Sequence, residues 1–353
     1  MSIKIKVGII GFGMAGRVFH APIIDSIEGL SISKIATKNP DVKNYIQNTY
    51  PDVEVVQEAD DILQDAAIDL VVVATPNTTH VELARKSLLA GKHTVVEKPF
   101  TITSSEADQL IEMANKVGKL LTVHQNRRWD SDFLTVKNII KGEILGNLVE
   151  YEAHFDRFRN IIKDGWREEA TPGAGILYDL GSHLIDQALY LFGLPAEITA
   201  DIRTQRREAR VDDSFEITLS YDRLKVKLKA GMLVREALPK FILLGDKGSF
   251  IKYGLDVQET ALKQGLSPIN SENWGEEPED IWGTINTEIK GMSVRGRIQS
   301  EKGDYRYFYK NVYDAILGED KLIVTANEAR NTIRIIELAL ESSRLKRTLP
   351  FSE

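Results

Sequence analysis

The sequence contains no cysteine among its 353 residues. Disulfide frameworks, thiol nucleophiles and cysteine-ligated zinc sites are therefore excluded. The chain also lacks any apolar run approaching the roughly 18 residues of a membrane span. Its amino terminus has neither the basic segment nor the cleavage site of a secretory signal. We accordingly expect a cytoplasmic protein with no membrane partner.

An excess of positive charge is absent as well. The formal net charge is -7, so the sequence offers no broad cationic surface for nucleic acid. The expected partners are a small molecule and further copies of the chain. Hydrophobic residues make up 42% of the sequence. At this length two domains are expected, because single cores stop growing at roughly 250 to 300 residues.

The hydrophobic pattern changes near residue 125. Before it, short apolar runs such as Ile5–Ile10 alternate with helical stretches such as Ser104–Val117, which is typical of a parallel α/β sheet. After it, segments in which apolar and polar residues alternate follow one another with short connections, which predicts β-hairpins. We predict a doubly wound Rossmann domain over 1–124 and an α+β domain with an open, mainly antiparallel sheet over 125–353. The last predicted helix, 326–346, could also pack back on the first domain.

A glycine-rich turn joins the first predicted strand to the first helix. The spacing G-x-G-x-x-G serves a tight turn, a close approach of backbone to pyrophosphate, and close packing of helix on strand. A purely structural turn would look the same, but the βαβ rhythm around it favours dinucleotide binding. The residues expected at the cofactor are Gly11, Phe12, Gly13, Met14, Ala15 and Gly16.

The end of the second predicted strand bears on the choice of cofactor. An acidic residue there would bind the ribose 2'-hydroxyl of NAD, but residues 36–39 contain no carboxylate. Thr37 and Lys38 could instead bind a 2'-phosphate. We therefore expect NADP, with NAD as the alternative. Lys38 could equally be an ordinary solvated lysine.

Three further segments add to the glycine turn. They are Ala74-Thr75-Pro76-Asn77 with His80 beyond it, Glu97-Lys98-Pro99, and Tyr178-Asp179-Leu180-Gly181-Ser182-His183. With the glycine turn, they resemble the Gfo/Idh/MocA family of oxidoreductases, and the resemblance covers essentially the whole chain. The segments most similar to the NADP-preferring scyllo-inositol 2-dehydrogenase branch are 126–133, 155–159, Trp166-Arg167 and 249–254.

The resemblance implies an enzyme that moves a hydride between NADP(H) and a secondary alcohol of a cyclic polyol or sugar, such as scyllo-inositol. It implies a site at the junction of the two domains, with Lys98, Asp179 and His183 as the catalytic set. Lys98 would contact both the nicotinamide ribose and the substrate. Further cofactor contacts are expected from Thr75, Pro76, Asn77, His80, Glu97, Trp166 and Arg167. Substrate contacts are expected from Arg127, Arg157 and Tyr178.

The residues themselves suit this chemistry. A hydroxyl proton must leave as the carbonyl forms, and a histidine such as His183 titrates near neutral pH. Asp179 lies one helical turn away and could orient the imidazole, although Asp186 is placed as well by spacing. The Lys98 ammonium could stabilise a developing alkoxide.

Each of these residues could also have a role unrelated to catalysis or binding. His183 would then be a core histidine, Lys98 would merely end a strand, and the arginines would be solvated. We predict no metal, because no metal-ligand spacing links His20, His80, His93, His124 and His154.

Two other functions stay open at this point. One is a redox-assisted glycosidase that keeps its cofactor, and the other is a nucleotide-sensing or sugar-sensing regulator without turnover. The intact set Lys98, Asp179 and His183 argues against the regulator. An open sheet would leave an apolar face uncovered, which favours a homodimer or homotetramer. The stretch Ser267–Gly283, rich in Pro, Gly, Asn and acids, is expected to be a surface loop.

Overall fold

In a computed structural model of the protein, residues 3–162, 165 and 168–352 are described. The predictions for Trp166 and Arg167 lie outside these residues. The chain forms two compact units. Unit 1 comprises the residues up to Asn126 together with Gln258–Trp274 and Asp304–Arg330. Unit 2 comprises Arg127–Val257, Gly275–Gly303 and the residues from Asn331 on.

The secondary structure follows in chain order. The strands are β1 Ile5–Ile10, β2 Leu30–Ala36, β3 Glu54–Val56, β4 Leu70–Val73, β5 His93–Val96, β6 Leu121–Val123, β7 Leu148–His154, β8 Glu197–Arg203, β9 Ser214–Ser220, β10 Lys225–Gly231, β11 Phe241–Gly245, β12 Gly248–Lys252, β13 Gly283–Ile289, β14 Met292–Ile298 and β15 Leu349–Pro350. The α-helices are α1 Ala21–Asp25, α2 Pro40–Thr49, α3 Asp60–Leu63, α4 His80–Leu89, α5 Ser104–Val117, α6 Ser131–Lys141, α7 Ser182–Phe192, α8 Gln258–Lys263, α9 Arg306–Leu317 and α10 Ala326–Leu345. Within the described residues, Ala15–His20 and Leu177–Gly181 are π-helical, and Asn77–Thr79, Asn126–Trp129 and Glu279–Ile281 form short 3-10 turns.

Unit 1 contains the parallel sheet that the sequence predicts. Among the described residues it has six strands in the order β3-β2-β1-β4-β5-β6, and every pairing is parallel. The strand order reverses next to β1, as in a doubly wound Rossmann fold. The inner strands are almost wholly apolar and buried, as in β4, Leu70–Val73, because helices cover both faces of such a sheet.

Unit 2 contains the mainly antiparallel sheet. In the described part of the chain it has nine strands in the order β14-β13-β12-β11-β7-β10-β9-β8-β15. Only β7 and β10 pair in parallel there. The predicted fold class is therefore confirmed. The hairpin of β13 and β14 is an addition, since the sequence pattern did not predict strands over these residues.

One face of the unit 2 sheet differs from the expectation of an uncovered apolar surface. Tyr151 on β7 is buried against Phe192, with ring centroids 5.2 Å apart, so the alternate residues of β7 lie on the opposite face. There Lys227 Nζ lies 2.9 Å from Glu150 Oε1 and 3.6 Å from Glu152 Oε2. A ladder of ion pairs thus occupies part of the face that was expected to be apolar. Assembly into a dimer or tetramer stays a prediction.

The stretch Ser267–Gly283 was predicted to lie at the surface, and this is wrong for two of its residues. Trp274 is 2% exposed, and its indole N–H donates to Gln258 Oε1 at 3.0 Å. Glu277 is also buried, with Oε2 3.0 Å from Lys252 Nζ. The polar composition of the stretch gave no indication that these two residues are buried.

The last helix ends at Leu345. In this helix Ile333 and Ile336 are buried, but Leu340 is 39% exposed. Among the described residues, none of the helices combines the length and the apolar character needed to cross a bilayer.

Candidate active site

The glycine turn of unit 1 has the geometry of a dinucleotide cradle. Gly11 has a φ of +92°, and a Cβ there would lie 2.7 Å from the carbonyl oxygen of Ala74. A Cβ at Gly16 would lie 2.5 Å from the carbonyl oxygen of Gly11. At Gly13, by contrast, no heavy atom of the described residues lies within 4 Å of the Cβ position. Gly11 and Gly16 therefore serve packing, and Gly13 leaves open the space that a pyrophosphate needs.

The residues between these glycines differ in what they can offer. Phe12 is 3% exposed and lies against Tyr45, with ring centroids 6.4 Å apart, so that only its backbone can face a ligand. Met14 is 59% exposed. The chain then enters the π-helical segment Ala15–His20, where the N–H of Arg17 donates to the carbonyl of Gly13 at 3.0 Å. A π-helical turn is rare and is found often at functional sites.

The end of β2 carries the residues expected to distinguish the cofactors. Lys38 is largely exposed, and its Nζ lies 2.8 Å from Glu58 Oε1. Such an exposed pair contributes little free energy, so Lys38 can exchange Glu58 for another anion. Asn39 caps α2 through its side-chain oxygen, which accepts from the N–H of Asp41 at 2.9 Å. The pairing of Glu58 with Lys38 could not be predicted from the sequence, because the two residues are distant along the chain.

The loops after β4 and β5 are joined through His80. This histidine is 1% exposed, with Nδ1 2.9 Å from the carbonyl oxygen of Pro99 and Nε2 3.0 Å from that of Thr75. Burial lowers its pKa, and a neutral ring can donate to only one of these carbonyls at a time. Pro76 is exposed and Asn77 buried in the same loop. A direct contact of His80 with the cofactor stays a prediction.

Lys98 follows β5, at the carboxyl edge of the parallel sheet where α/β proteins bind ligands. It is half-buried. Its backbone N–H donates to the carboxylate of Glu97 at 2.9 Å. Glu97 is 7% exposed, and its other oxygen lies close to His20 and His124. Neither histidine could be assigned to Glu97 from the sequence, because no spacing connects them.

In unit 2, Asp179 and His183 lie on consecutive helical segments. Asp179 belongs to the π-helical segment Leu177–Gly181, and His183 is in the first turn of α7 and 5% exposed. Asp212 anchors the start of this arrangement, since its Oδ2 accepts from the N–H of Leu177 at 2.7 Å. Tyr178, in the same π-helical segment, is 8% exposed.

The structure also bears on which carboxylate could serve His183. Arg128 donates to both oxygens of Asp186, from Nε at 2.8 Å and from Nη2 at 2.7 Å. This bidentate pair is almost fully buried. The engagement of Asp186 by an arginine favours Asp179 as the partner of His183.

Phe155 is at the centre of a group of cationic side chains. The Cζ atoms of Arg127 and Arg157 lie 4.9 and 5.2 Å from its ring centroid, and Lys240 Nζ lies 4.2 Å from it. The ring of His183 is 6.5 Å away. Burial lowers the pKa of Lys240 to about 8. Lys240 was missed because a lysine at the start of an apolar strand is usually solvated.

Comparison with known proteins agrees with this geometry. Residues 5–125 match the family described as "Oxidoreductase family, NAD-binding Rossmann fold", and residues 137–351 match its C-terminal alpha/beta domain. The chain belongs to the Gfo/Idh/MocA oxidoreductase family.

Among its relatives, scyllo-inositol 2-dehydrogenase (NADP(+)) IolW of Bacillus subtilis is 42% identical over 346 residues, which are 98% of this chain and 95% of the relative. The uncharacterized oxidoreductase YdgJ of Escherichia coli is 41% identical over 350 residues, 99% of each chain. A solved structure of the oxidoreductase yvaA from Bacillus subtilis has a TM-score of 0.96 at 41% identity, covering 100% of this chain and 99% of that one. The present protein is thus an NAD(P)-dependent dehydrogenase with a Rossmann cofactor domain.

Substitution of the glycines should separate cofactor binding from folding. Gly13→Ala should leave the thermal unfolding midpoint nearly unchanged but weaken nicotinamide dinucleotide binding, because the new methyl group enters the pyrophosphate space. Gly11→Ala is the matched comparison. It should lower both the unfolding midpoint and the affinity for the dinucleotide, because Gly11 has a positive φ and a Cβ there would clash with Ala74. Fluorescence titration with NADPH and thermal denaturation measure the two effects. Full binding by Gly13→Ala would contradict the proposed cradle.

The Asp212 carboxylate should make stability depend on pH. Burial raises its pKa from 3.8 to about 6, although the N–H of Leu177 opposes the rise. The folded protein therefore holds this proton more tightly than the unfolded chain, so the wild type loses stability as the pH rises through this window. Relative to wild type, Asp212→Asn should gain up to about 3 kcal/mol between about pH 4 and pH 7. Urea denaturation across this range measures the difference. Asp222→Asn, at an exposed position, should show no such trend, and a trend in both variants would count against Asp212.

Proposed function

We propose that this enzyme transfers a hydride between NADP(H) and a secondary alcohol of a cyclic polyol or sugar, such as scyllo-inositol. The observation that carries the proposal is the placement of His183 with Arg127 and Arg157 around the ring of Phe155. Arginine N–H groups can bind the hydroxyls of a polyol. Phe155 is 1% exposed, so its ring serves to hold these polar side chains together. The relative IolW, named as an NADP-dependent scyllo-inositol 2-dehydrogenase, supports the same substrate class.

The proposed chemistry assigns one task to each residue. In the oxidative direction, His183 accepts the proton of the substrate hydroxyl while the carbinol C–H electron pair leaves as hydride and the C=O bond forms. NADP, when bound, is the acceptor of that hydride. Lys98 donates a hydrogen bond to the substrate oxygen and stabilises its negative charge. Asp179 orients His183 and stabilises the imidazolium.

The preference for NADP rests on the end of β2. Residues 36–39 carry no carboxylate that would bind a ribose 2'-hydroxyl. The backbone N–H of Asn39 lies 3.3 Å from the hydroxyl of Thr37, which places this hydroxyl in the turn that leads into α2. The exposed ammonium of Lys38 can then pair with a 2'-phosphate.

Removal of the Lys98 side chain tests the reaction. Lys98→Ala should lower kcat at least about 100-fold, because the developing alkoxide loses its cationic partner. NADPH affinity should stay close to that of wild type. The assay follows reduced nicotinamide with a panel of inositols and hexoses, each with NADP and with NAD. Lys116→Ala, at an exposed position of α5, is the control. Unchanged kcat in Lys98→Ala would remove Lys98 from the mechanism, and nitrophenyl glycoside cleavage with no net cofactor reduction would favour the glycosidase.

Exchange of charge at Lys38 tests the cofactor. Lys38→Asp should shift the ratio of kcat/KM toward NAD, because a carboxylate repels the 2'-phosphate and binds the 2'-hydroxyl. Glu58→Gln should act in the opposite direction, since it releases Lys38 from its ion pair. Initial rates with both cofactors at a saturating polyol concentration give the ratio. An unaltered ratio in both variants would contradict the role given to Lys38.

A further inference from the structure

Unit 1 contains a buried polar cluster that the proposed reaction does not use. Its members are His20, Glu97, His124 and Tyr309, with exposures of 0%, 7%, 2% and 0%. They come from the π-helical segment after β1, the end of β5, the end of β6 and helix α9. Burial of charged and polar groups is costly unless they bind one another, so a cluster assembled from four elements requires an explanation.

The contacts connect the members of this cluster in series, from His124 through Glu97 and His20 to Tyr309. Glu97 Oε1 lies 2.8 Å from His124 Nδ1 and 2.9 Å from His20 Nε2. The other ring nitrogen of His20, Nδ1, is in hydrogen-bond contact with the hydroxyl of Tyr309. His124 Nδ1 has hydrogen-bond geometry toward Glu97 and must carry the hydrogen, since a carboxylate only accepts. His20 Nε2 makes a close polar contact with the same oxygen. When this nitrogen of a neutral His20 carries the hydrogen, Nδ1 is left to accept from Tyr309.

The charge state follows from these contacts. Burial by itself would raise the pKa of Glu97, but hydrogen bonds from His124 and His20 outweigh it and hold the pKa well below its usual value. Burial, together with the neighbouring His124, lowers the pKa of His20 to about 4. At neutral pH, Glu97 is therefore an anion and His20 is a neutral donor.

The second oxygen of Glu97 connects this cluster to Lys98. Oε2 accepts the backbone N–H of Lys98 at 2.9 Å. We propose that His20, His124 and Tyr309 are positioning residues, which hold the Glu97 carboxylate in one orientation so that it fixes the backbone of Lys98 and the origin of its side chain. This inference rests on the proposed function of Lys98 and adds the device that places it.

A bound metal ion is the competing reading of the same residues. One ligand atom from each of His20, Glu97 and His124 lies within 4.8 Å of the others. The 2.8 Å contact of His124 Nδ1 with Glu97 Oε1 is, however, an ordinary hydrogen bond. Tyr309 also engages His20 on its other nitrogen. The contacts therefore favour hydrogen bonds, and metal content becomes part of the test.

Two substitutions of His124 separate positioning from packing. The amide of His124→Asn can place an N–H near the position of Nδ1, whereas His124→Leu fills similar space without a donor. His124→Leu should lower kcat about 100-fold, as expected when a catalytic group is displaced, with little change in the Kd for NADPH. His124→Asn should retain most of the activity. Tyr309→Phe, which loses only one hydroxyl, should lower kcat up to about tenfold and covers the case in which His124→Leu does not fold.

A second measurement is independent of any substrate. Hydrogen exchange of the Lys98 amide should be faster in His124→Leu than in wild type and unchanged in His124→Asn, because only the leucine variant loosens Glu97. His93→Asn, a histidine of the same sheet outside the cluster, should alter neither kcat nor this exchange.

The possible outcomes distinguish positioning from packing, from metal binding and from a failure of the proposed function. Equal losses of kcat in His124→Leu and His124→Asn would overturn the inference, and so would an unchanged Lys98 amide in His124→Leu. Stoichiometric zinc in the purified wild-type protein, lost in both variants, would overturn it in favour of the metal. Absence of turnover by wild type on every polyol would refute the proposed function, while the exchange data would still show whether the cluster holds the Lys98 backbone.

Discussion

The structure of unit 1 depends on the parallel pairing of β1 with its neighbours β2 and β4, and of β4 with β5. Because parallel strands end at the same edge, backbone hydrogen bonds continue past them into the loops. The N–H of Gly11 donates to Ala36 at 3.2 Å, that of Ala74 to Ile10 at 2.8 Å and that of Glu97 to Val73 at 2.9 Å. The glycine turn and the Glu97-Lys98 segment are therefore placed by the sheet itself. A loop whose backbone N–H groups extend the hydrogen bonding of the sheet can be held in place without being buried.

Both units depart from regular α-helix where their functional motifs lie. The segment Ala15–His20 follows the glycine turn, and Leu177–Gly181 contains Asp179. A π-helical turn widens the helix and shifts the direction of the residues beyond it. In unit 1 this places His20 on Glu97. Asp179 therefore occupies a wider turn than the α-helical spacing of four residues assumes.

The sequence was sufficient for the strands of the parallel sheet, whose apolar runs are bounded by glycine and polar residues. It was also sufficient for the cradle, whose glycine spacing has a direct physical cause. It was insufficient for contacts that depend on the tertiary fold. His20 and Tyr309 are 289 residues apart, and no periodicity relates them. Helical spacing permits a pairing of Asp186 with His183, but it gives no sign of the bidentate bond from Arg128, which is 58 residues away along the chain.

The period of two in β7 likewise predicted two faces but not their chemistry. Tyr151 is buried, while Glu150 and Glu152 on the alternate face meet Lys227 of β10. The register that opposes Glu152 to Lys227 is a property of the β7 and β10 pairing, and strands far apart in sequence leave no local signal of it. The expectation of an apolar face was wrong at these positions for that reason.

Buried charges in the two units obey one rule and serve different ends. Asp186 is neutralised by a bidentate arginine, so its charge is matched locally and can brace the helix that carries His183. Glu97 is instead surrounded by histidines, of which His20 is neutral near pH 7, and it directs its second oxygen to a backbone N–H. A formal ion pair would hold Glu97 as firmly but would place another fixed cation beside Lys98. His20 thus helps to hold the carboxylate without adding a fixed cation beside Lys98.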